Sequence, residues 1–180
     1  MSKFRSLGKN VIINDYVFIR NPELVEIGDN VIIDPFTYIS GKVSIGANSH
    51  IANNVTIQAG GMGVIIGDMV GIAAGARIFA VTSDYLGAKI FLPSIKNNSD
   101  NYLNSGVIIE TASLIGANST VMPGVVIPRG SSFAANLTIR NKKYDCYTAY
   151  LERNGKLISI ARNRDLLEIE IKNIRNEIKD

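Results

Sequence analysis

Isoleucine and other apolar residues recur at every sixth position across most of the chain. Counted in sixes from Ile27, the apolar positions continue to Ile57, shift by three residues to Ile66, and return at Ile109 after a long interruption. The set comprises Ile27, Ile33, Ile39, Ile45, Ile51, Ile57, Ile66, Ile72, Ile78, Ile109, Ile115, Val121, Ile127, Phe133 and Ile139. An α-helix turns about 100° per residue, so this period would spread the side chains around its whole circumference. The pattern therefore excludes a helix for this region.

A short strand followed by a turn, repeated every six residues, accounts for the spacing. The first and fifth residues of such a unit lie on one side of the strand, and the fifth is small or β-branched, as at Val31, Ser49 and Val55. Asn and Gly, which tolerate left-handed backbone, populate the corners. The sequence therefore predicts an all-β solenoid over residues 1–140, in which each strand stacks on its equivalent one coil away, ~4.8 Å distant.

The repeat is interrupted twice. The segment "QAGGMGV", residues 58–64, adds three residues, and a longer segment from Asp84 to about Gly106 is too irregular for a coil and contains Pro93. Long segments without secondary structure in a compact domain are usually functional or disordered. Because this one begins with the apolar and aromatic "DYLGAKIFLP", we expect a functional loop that protrudes from the solenoid.

Residues 141–180 form a C-terminal extension with a different pattern. Its first part alternates loosely around Asn154-Gly155, which is a hairpin-type turn signal. Its last part, "DLLEIEIKNIRNEIK", predicts a helix in which Asp165 and Glu168 form a capping box. The apolar stripe of this helix comprises Leu167, Ile171, Ile174 and Ile178. Two roles remain open for the helix: it packs over the end of the solenoid, or it meets its copies in an oligomer.

Composition narrows the functional classes. The 180 residues are 46% hydrophobic and 19% charged, which suits one domain with an appendage. No apolar run approaches the roughly 20 residues of a membrane span, and the start "MSKFRSLGKN" lacks the apolar block of a secretion signal. The single cysteine, Cys146, allows no internal disulfide and fits a reducing compartment. We expect a cytoplasmic protein without membrane insertion.

The charge points to a small anionic ligand. The net charge is +3 and the isoelectric point is about 9.0, which suits an anionic small molecule. The chain lacks the interleaved aromatic and basic residues that stack nucleic-acid bases. We therefore expect no nucleic-acid partner.

The six-residue pattern resembles that of the hexapeptide-repeat family. The resemblance implies a left-handed β-helix with triangular coils of about 18 residues, a homotrimer with active sites shared between subunits, and acyl transfer from acetyl-CoA or a similar thioester. The γ-type carbonic anhydrases share this fold and bind zinc with three histidines. This chain has one histidine, His50, so we expect no metal.

Two tracts sharpen the resemblance. "HIANNVTIQAGGMGVIIGDMVGIAAGARIFAVTSDYLG" and "IIETASLIGANSTVMPGVVI" are similar to sugar-nucleotide N-acetyltransferases, such as those that act on GDP-perosamine. The likeness covers roughly residues 7–140. It implies acetylation of a nucleotide-linked amino sugar in the synthesis of surface polysaccharide or O-antigen precursors. The alternatives are an O-acetyltransferase acting on a saccharide and a trimeric scaffold without catalysis.

His50 and Asp84 are the predicted catalytic residues. His50 occupies an outward position at a corner of its coil, and an imidazole with an unperturbed pKa near 6.5 suits a general base. In the more distant galactoside and maltose O-acetyltransferases a histidine opens the long loop, whereas this chain has Asp84 there. Asp84 is therefore expected either to hold the His50 ring or to accept the proton itself.

The resemblance also implies the binding residues. It places the backbone N–H of Ala117 at the developing oxyanion, and Ala117 and Ala135 along the CoA arm. Arg140, Lys142 and Lys143 follow the last coil and are the predicted partners of the CoA phosphates. The predicted substrate-binding residues are Asn53, Asn54, Ser83 and Tyr85.

Overall fold

A computed structural model describes residues 4–86 and 102–177, and short strands dominate both ranges. In chain order the strands are β1 (Ser6–Leu7), β2 (Ile12–Ile13), β3 (Phe18–Ile19), β4 (Val25–Ile27), β5 (Ile32–Ile33), β6 (Tyr38–Ser40), β7 (Val43–Ile45), β8 (His50–Ile51), β9 (Thr56–Gln58), β10 (Val64–Ile66), β11 (Gly71–Ile72), β12 (Arg77–Phe79), β13 (Val81–Ser83), β14 (Tyr102–Asn104), β15 (Val107–Ile109), β16 (Leu114–Ile115), β17 (Thr120–Val121), β18 (Val126–Ile127), β19 (Ser132–Phe133), β20 (Thr138–Ile139), β21 (Thr148–Arg153) and β22 (Lys156–Ala161). A 3₁₀ turn covers Pro22–Leu24, and the helix α1 covers Arg164–Glu177.

The strands stack into three parallel sheets that form the faces of a three-sided prism. Face 1 has the order β1-β4-β7-β10-β15-β18, and face 3 has β3-β6-β9-β12-β17-β20. Face 2 has the order β2-β5-β8-β11-β16-β19-β21-β22, in which only the last pair is antiparallel. The chain visits the three faces in turn, so each circuit adds one strand to each face. The predicted solenoid is confirmed.

The register of the strands reproduces the six-residue frame across both interruptions. On face 1, Ile45 pairs with Ile66 and Ile66 pairs with Ile109, although 21 and 43 residues separate them in the chain. The isoleucines of the six-residue frame form a column inside the prism on each face, and those of this frame from Ile27 to Ile127 are at most 2% exposed. Fully burying an isoleucine stabilises the fold by roughly 1.5–3 kcal/mol, so these columns carry the stability of the solenoid.

Hydroxyl groups close several corners. Ser49 is 1% exposed; its Oγ donates to the carbonyl of Gly67 at 3.0 Å and accepts from the N–H of Val70 at 3.1 Å. Ser119 makes the equivalent pair of bonds to Ala134 and Leu137. Where the small residue at the fifth position is serine, its hydroxyl therefore satisfies backbone groups that would otherwise be buried without partners.

Both interruptions leave the prism at the corner between faces 3 and 1. The long loop departs on β13 and returns on β14, which pairs with it antiparallel, and the solenoid resumes at Val107. The residues between, 87–101 with Pro93, lie outside the described ranges. Gly60 of the shorter break has a φ of +53°, and a Cβ there would approach Val81 to 3.1 Å. The two breaks therefore pack together, with the N–H of Met62 donating to Asn104 Oδ1 at 3.4 Å.

Two tyrosines close the C-terminal end of the prism. Tyr144 and Tyr150 are each 7% exposed and pack on Phe133, with ring centroids 5.0 and 4.8 Å away. Burial raises the pKa of Tyr144. The predicted hairpin at Asn154-Gly155 is confirmed; β21 joins face 2 by pairing with β19, so the extension is continuous with the solenoid.

The helix does not cover the end of the solenoid; it lies along the corner between faces 1 and 2. Glu168 receives two hydrogen bonds from Arg129, at 2.7 and 2.9 Å, and Arg175 contacts Asp68 at 3.3 Å. The seven residues between these contacts rise about 10.5 Å, which matches two coil spacings of ~4.8 Å from Arg129 back to Asp68. The first of the two expected roles is therefore wrong, because Tyr144 and Tyr150 already fill the end.

The N-terminal cap of the helix lies two residues earlier than predicted. Asn163 Oδ1 accepts from the N–H of Leu166 at 3.1 Å, so Asn163 is the cap, and the capping box of Asp165 and Glu168 is wrong. Glu168 instead pairs with Arg129 and Tyr147. Ile171 is 3% exposed and anchors the predicted apolar stripe, whose last member, Ile178, lies outside the described residues.

Candidate active site

Face 2 carries a groove floored by small side chains. The outward-facing residues of β11, β16, β19 and β21 with their neighbours enclose about 660 Å³. The lining residues include Ala52, Gly71, Ala73, Gly116, Ser132, Ala134, Ala149 and Leu151. From His50 to Ala149 the groove crosses four coil spacings, ~19 Å in all. We name this surface the face-2 groove; its shape suits an extended, largely apolar chain.

His50 stands at the N-terminal end of the face-2 groove and is held by a carboxylate. Its Nε2 lies 2.8 Å from Oδ2 of Asp34, and the Asn14 side-chain amide donates to the other oxygen, Oδ1, at 3.1 Å. An ionised carboxylate only accepts hydrogen bonds, so Nε2 is the donor in this contact, and in the neutral ring Nδ1 then carries the lone pair. The histidine side chain is 53% exposed and Asp34 is 29% exposed. The ring is therefore oriented while its other nitrogen stays open to a ligand.

The expectation that Asp84 holds the ring is wrong within this chain. Asp84 follows β13 at the corner between faces 3 and 1, whereas His50 begins a strand of face 2. The Asp84 carboxylate accepts from the N–H of Leu86 at 3.0 Å, which is a local turn contact. Sequence reasoning missed Asp34, although the register predicts it: Ile32 pairs with His50, so Asp34 is two residues along the neighbouring strand.

A second cavity, on face 3, lies at the base of the long loop. It encloses about 930 Å³, and polar and aromatic residues are among those that line it. Ser83 and Tyr85, two of the predicted substrate-binding residues, line it together with Arg20. The Tyr85 hydroxyl accepts from Thr82 Oγ1 at 3.3 Å. We name this space the face-3 cavity; Arg20, which sequence reasoning missed, gives it a cation.

The other two predicted substrate-binding residues, Asn53 and Asn54, lie in a turn at a corner of the prism. Asn53 and Asn54 are exposed and follow the His50 strand at the corner between faces 2 and 3. Asn54 adopts a φ of +57°, and its N–H donates to the carbonyl of Pro35 at 3.1 Å. Neither asparagine is among the residues that line the groove or the cavity, so the structure gives both a turn role.

Ala117 and Ala135 lie at the same corner, immediately beside the face-2 groove. The residues directly before them, Gly116 and Ala134, line it. A Cβ on Gly116 would lie 2.4 Å from backbone atoms of Ala134 and Ala135, so only glycine allows the coils to approach here. The predicted backbone contacts with CoA and the oxyanion stay predictions.

Arg140, Lys142 and Lys143 do not reach the face-2 groove. They follow β20, the last strand of face 3, and all three are exposed. Lys142 Nζ lies 5.3 Å from the centre of the Tyr144 ring. The structure therefore places the predicted phosphate ligands on a different face from His50.

Within residues 4–86 and 102–177, no group of three His, Cys, Asp or Glu side chains is arranged to hold a metal ion. The one described helix, α1, is too short and too polar to span a bilayer.

Comparison with known proteins agrees with the architecture. Residues 25–59 match the family described as bacterial transferase hexapeptide (six repeats), and residues 106–140 match the hexapeptide repeat of succinyl-transferase. A relative from Escherichia coli, dTDP-4-amino-4,6-dideoxy-D-glucose acyltransferase, is 30% identical over 170 residues, which is 93% of this chain and 87% of the relative.

Solved structures of the N-acyltransferase AntD from Bacillus cereus superpose closely. The complex of AntD with dTDP and 3-hydroxybutyryl-CoA gives a TM-score of 0.87 at 33% identity, over 97% of this chain and 92% of AntD. A variant of AntD in complex with dTDP-4-amino-4,6-dideoxyglucose and coenzyme A gives a TM-score of 0.82 at 32% identity, over 96% and 91% of the two chains.

The hexapeptide coils and these relatives define the class to which the chain belongs. The chain belongs to the hexapeptide-repeat acyltransferases, and its solenoid is the left-handed β-helix that the family resemblance implied. It is an acyltransferase, and the O-acetyltransferase and scaffold alternatives have no counterpart among these sugar N-acyltransferase relatives.

Proposed function

We propose that this protein transfers an acyl group from a CoA thioester to the amino group of a nucleotide-linked amino sugar. The observation that carries the proposal is the face-2 groove, which ends at the paired side chains of His50 and Asp34. The ligands of AntD, a nucleotide or its amino sugar together with CoA or an acyl-CoA, support the same pair of substrates. They favour a dTDP-linked sugar over the GDP-linked sugar of the sequence-based resemblance.

The donor occupies the face-2 groove with its thioester beside His50. Eight of the fifteen lining residues are Gly, Ala or Ser, and Leu114 and Leu151 add apolar side chains, so the groove suits a flexible, largely apolar arm. Coenzyme A supplies the activated acyl group as a thioester. We propose acetyl as that group, and 3-hydroxybutyryl as the competitor that the AntD complex suggests.

The chemistry follows from the two ring nitrogens of His50. The sugar amine attacks the thioester carbonyl, forming a C–N bond, and the attacking nitrogen loses a proton to Nδ1 of His50. The C–S bond then breaks, and the thiolate takes up a proton to leave as free CoA. Asp34 accepts the hydrogen bond from the Nε2–H group, so it orients the ring and stabilises the imidazolium that forms. The resemblance implied that the N–H of Ala117 stabilises the negative charge on the carbonyl oxygen. This role stays a prediction, because Ala117 lies two coils from His50 in its own chain.

The acceptor occupies the face-3 cavity. Arg20 offers a cation to the diphosphate, because a guanidinium suits phosphate oxygens. Ser83 and Tyr85 offer hydroxyls to the sugar, and all three residues line the cavity. Asp84 begins the loop beside them, and its alternative catalytic role, acceptance of the proton itself, stays a prediction.

The groove and the cavity lie on different faces of one prism, so one chain does not complete the site. We propose a homotrimer in which face 2 of one protomer contacts face 3 of the next. Such a head-to-tail contact between unlike surfaces closes into a ring. The donor and the acceptor then meet between subunits.

We further propose that the enzyme works in the cytoplasm on precursors of surface polysaccharides. CoA thioesters and nucleotide sugars are anionic, which suits a chain of net charge +3. The absence of internal disulfides in a chain with one cysteine, Cys146, fits a reducing compartment.

A thiol-release assay tests the proposal. The protein is incubated with acetyl-CoA or 3-hydroxybutyryl-CoA, a thiol-reactive dye, and either dTDP-4-amino-4,6-dideoxyglucose or the corresponding 4-hydroxy sugar nucleotide. We expect CoA release with the amino sugar alone, and a product heavier by one acyl group in mass spectrometry. CoA release with the hydroxy sugar would indicate an O-acyltransferase. Absence of CoA binding in calorimetry would indicate a scaffold without catalysis.

A further inference from the structure

The outer side of the C-terminal hairpin continues the face-2 groove. β21 is hydrogen-bonded to β19, and β22 to β21, so both belong to the same sheet as His50. Ala149 and Leu151 of β21 line the groove. Successive side chains of a strand alternate between its two sides, so Arg153 lies on the same side as Ala149 and Leu151, two residues beyond the groove wall.

Lys156 lies directly opposite Arg153. The two residues are register partners across the turn at Asn154-Gly155, whose positive φ values of 53° and 72° hold the strands close. Like charges opposite each other destabilise a hairpin. Both side chains are exposed, and among the described residues neither forms an ion pair with a carboxylate. An anion bound between them would remove the repulsion.

We propose that Arg153 and Lys156 form a clamp for the phosphate groups of the acyl donor. This inference rests on the proposed function, because the donor must lie in the face-2 groove with its thioester at His50. The nucleotide end of the donor then emerges at the opposite end of the groove, where the hairpin stands. Hydrogen bonds between these cations and phosphate oxygens are charge-assisted, and their exposure makes them sensitive to salt.

The proposal replaces the cations that the sequence suggested. Arg140, Lys142 and Lys143 precede the hairpin in the chain, yet they follow the last strand of face 3. The alternation of β21, by contrast, keeps Arg153 on the face that His50 occupies. Position on the sheet, rather than distance from the last coil along the chain, decides which cations meet the donor.

The test compares donors with and without phosphates. Calorimetry gives the dissociation constant of CoA for the wild type, for Arg153→Gln/Lys156→Gln, and for Lys9→Gln/Lys172→Gln, which removes the same two charges elsewhere. We expect the hairpin variant to bind CoA about tenfold more weakly with a shallower salt dependence, and the control to bind as the wild type does. Turnover with S-acetylpantetheine, which has no phosphate, should be the same in all three proteins.

Four results would overturn the clamp. The first is an unchanged CoA dissociation constant in the hairpin variant, and the second is an equal loss of turnover with S-acetylpantetheine, which would indicate a structural role. The third is a weakening found in Lys142→Gln/Lys143→Gln instead. The fourth is failure of the wild-type protein to bind CoA, which would overturn the proposed function as well. This outcome differs from the other three because the wild type itself does not bind. Circular dichroism melting curves confirm that each variant is folded.

Discussion

Asp34 and His50 are sixteen residues apart in the chain, yet Oδ2 of the first lies 2.8 Å from Nε2 of the second. Stacking of β5 on β8 brings them together, and Asn14 from the coil before fixes the other carboxylate oxygen. Three successive coils therefore build one oriented imidazole at the end of the face-2 groove.

Removing this base should slow the chemical step. We expect His50→Gln to lower kcat by about a hundredfold or more, because general-base catalysis contributes 10²–10⁴, with little change in the donor KM. Asp34→Asn, which keeps the shape but removes the charge, should lower kcat less. Steady-state kinetics measures both, with Asp29→Asn as a control for loss of one carboxylate. A His50→Gln enzyme with wild-type kcat would contradict the base assignment.

Obstructing each site should affect one substrate only. Ala73 lines the face-2 groove and Thr120 lines the face-3 cavity. We expect Ala73→Phe to raise KM for the CoA thioester and Thr120→Phe to raise KM for the nucleotide sugar, each severalfold or more, because the new ring fills the space. Two-substrate kinetics separates the effects. If Ala73→Phe raised the KM for the nucleotide sugar instead, the assignment of the two substrates to the two surfaces would be wrong.

If the active site is shared between subunits, two variants that damage different faces should complement each other. His50→Gln damages face 2 and Thr120→Phe damages face 3, so a mixed oligomer contains some interfaces in which both faces are intact. We expect each variant alone to be poorly active and the pair, unfolded and refolded together, to regain part of the wild-type rate. Analytical ultracentrifugation measures the number of subunits. No gain after mixing, with a monomeric mass, would refute the shared site.

The isoleucine columns should govern stability. Ile72 is 1% exposed in the interior, whereas Ile12 on the outside of the same face is 51% exposed. Replacement of a buried isoleucine by alanine costs about 2–5 kcal/mol, so Ile72→Ala should lower the free energy of unfolding by that amount. Ile12→Ala should change it by under ~1 kcal/mol. Urea unfolding followed by circular dichroism provides both values, and equal losses would contradict the prism interior.

Acid should release the helix. Hydrogen bonds from Arg129 and then Tyr147 lower the pKa of Glu168 from 4.5 to about 2, so the contact stabilises the protein fully above pH 4.5 and is lost as the pH falls toward about 2. We expect the difference in melting temperature between wild type and Glu168→Gln to be constant near neutrality and to shrink between these two values. Glu170→Gln, on the same helix, is the control. A difference that stayed constant down to pH 2 would show that the ionised pair contributes nothing.

The sequence predicts the solenoid well because its interactions repeat. Each isoleucine meets the equivalent residue of the next coil, so counting residues is enough to place Ile45 against Ile66 and Ile66 against Ile109. The same count yields Asp34 beside His50 once the strands are aligned. His50, Ser83 and Tyr85 accordingly line the spaces that the structure contains.

Contacts without a repeat are not predictable in this way. Arg129 and Glu168 are 39 residues apart and belong to different elements, and nothing in the helical period indicates which corner the helix follows. The prediction that the CoA phosphates meet Arg140, Lys142 and Lys143 depends on their position just after the last coil. Position along the chain does not distinguish face 3 from face 2. Asp165 and Asn163 are both good capping residues, and only the hydrogen bond to Leu166 decides between them.

Met62 and Asn104 meet because both departures from the prism occur at one corner. Residues at this corner, beside the cavity proposed for the acceptor, can therefore be exchanged without disturbing the buried columns from Ile27 to Ile127. The positions that stabilise the fold differ from those proposed to bind the acceptor. Related chains can therefore differ in their sugar substrate while they keep the same solenoid.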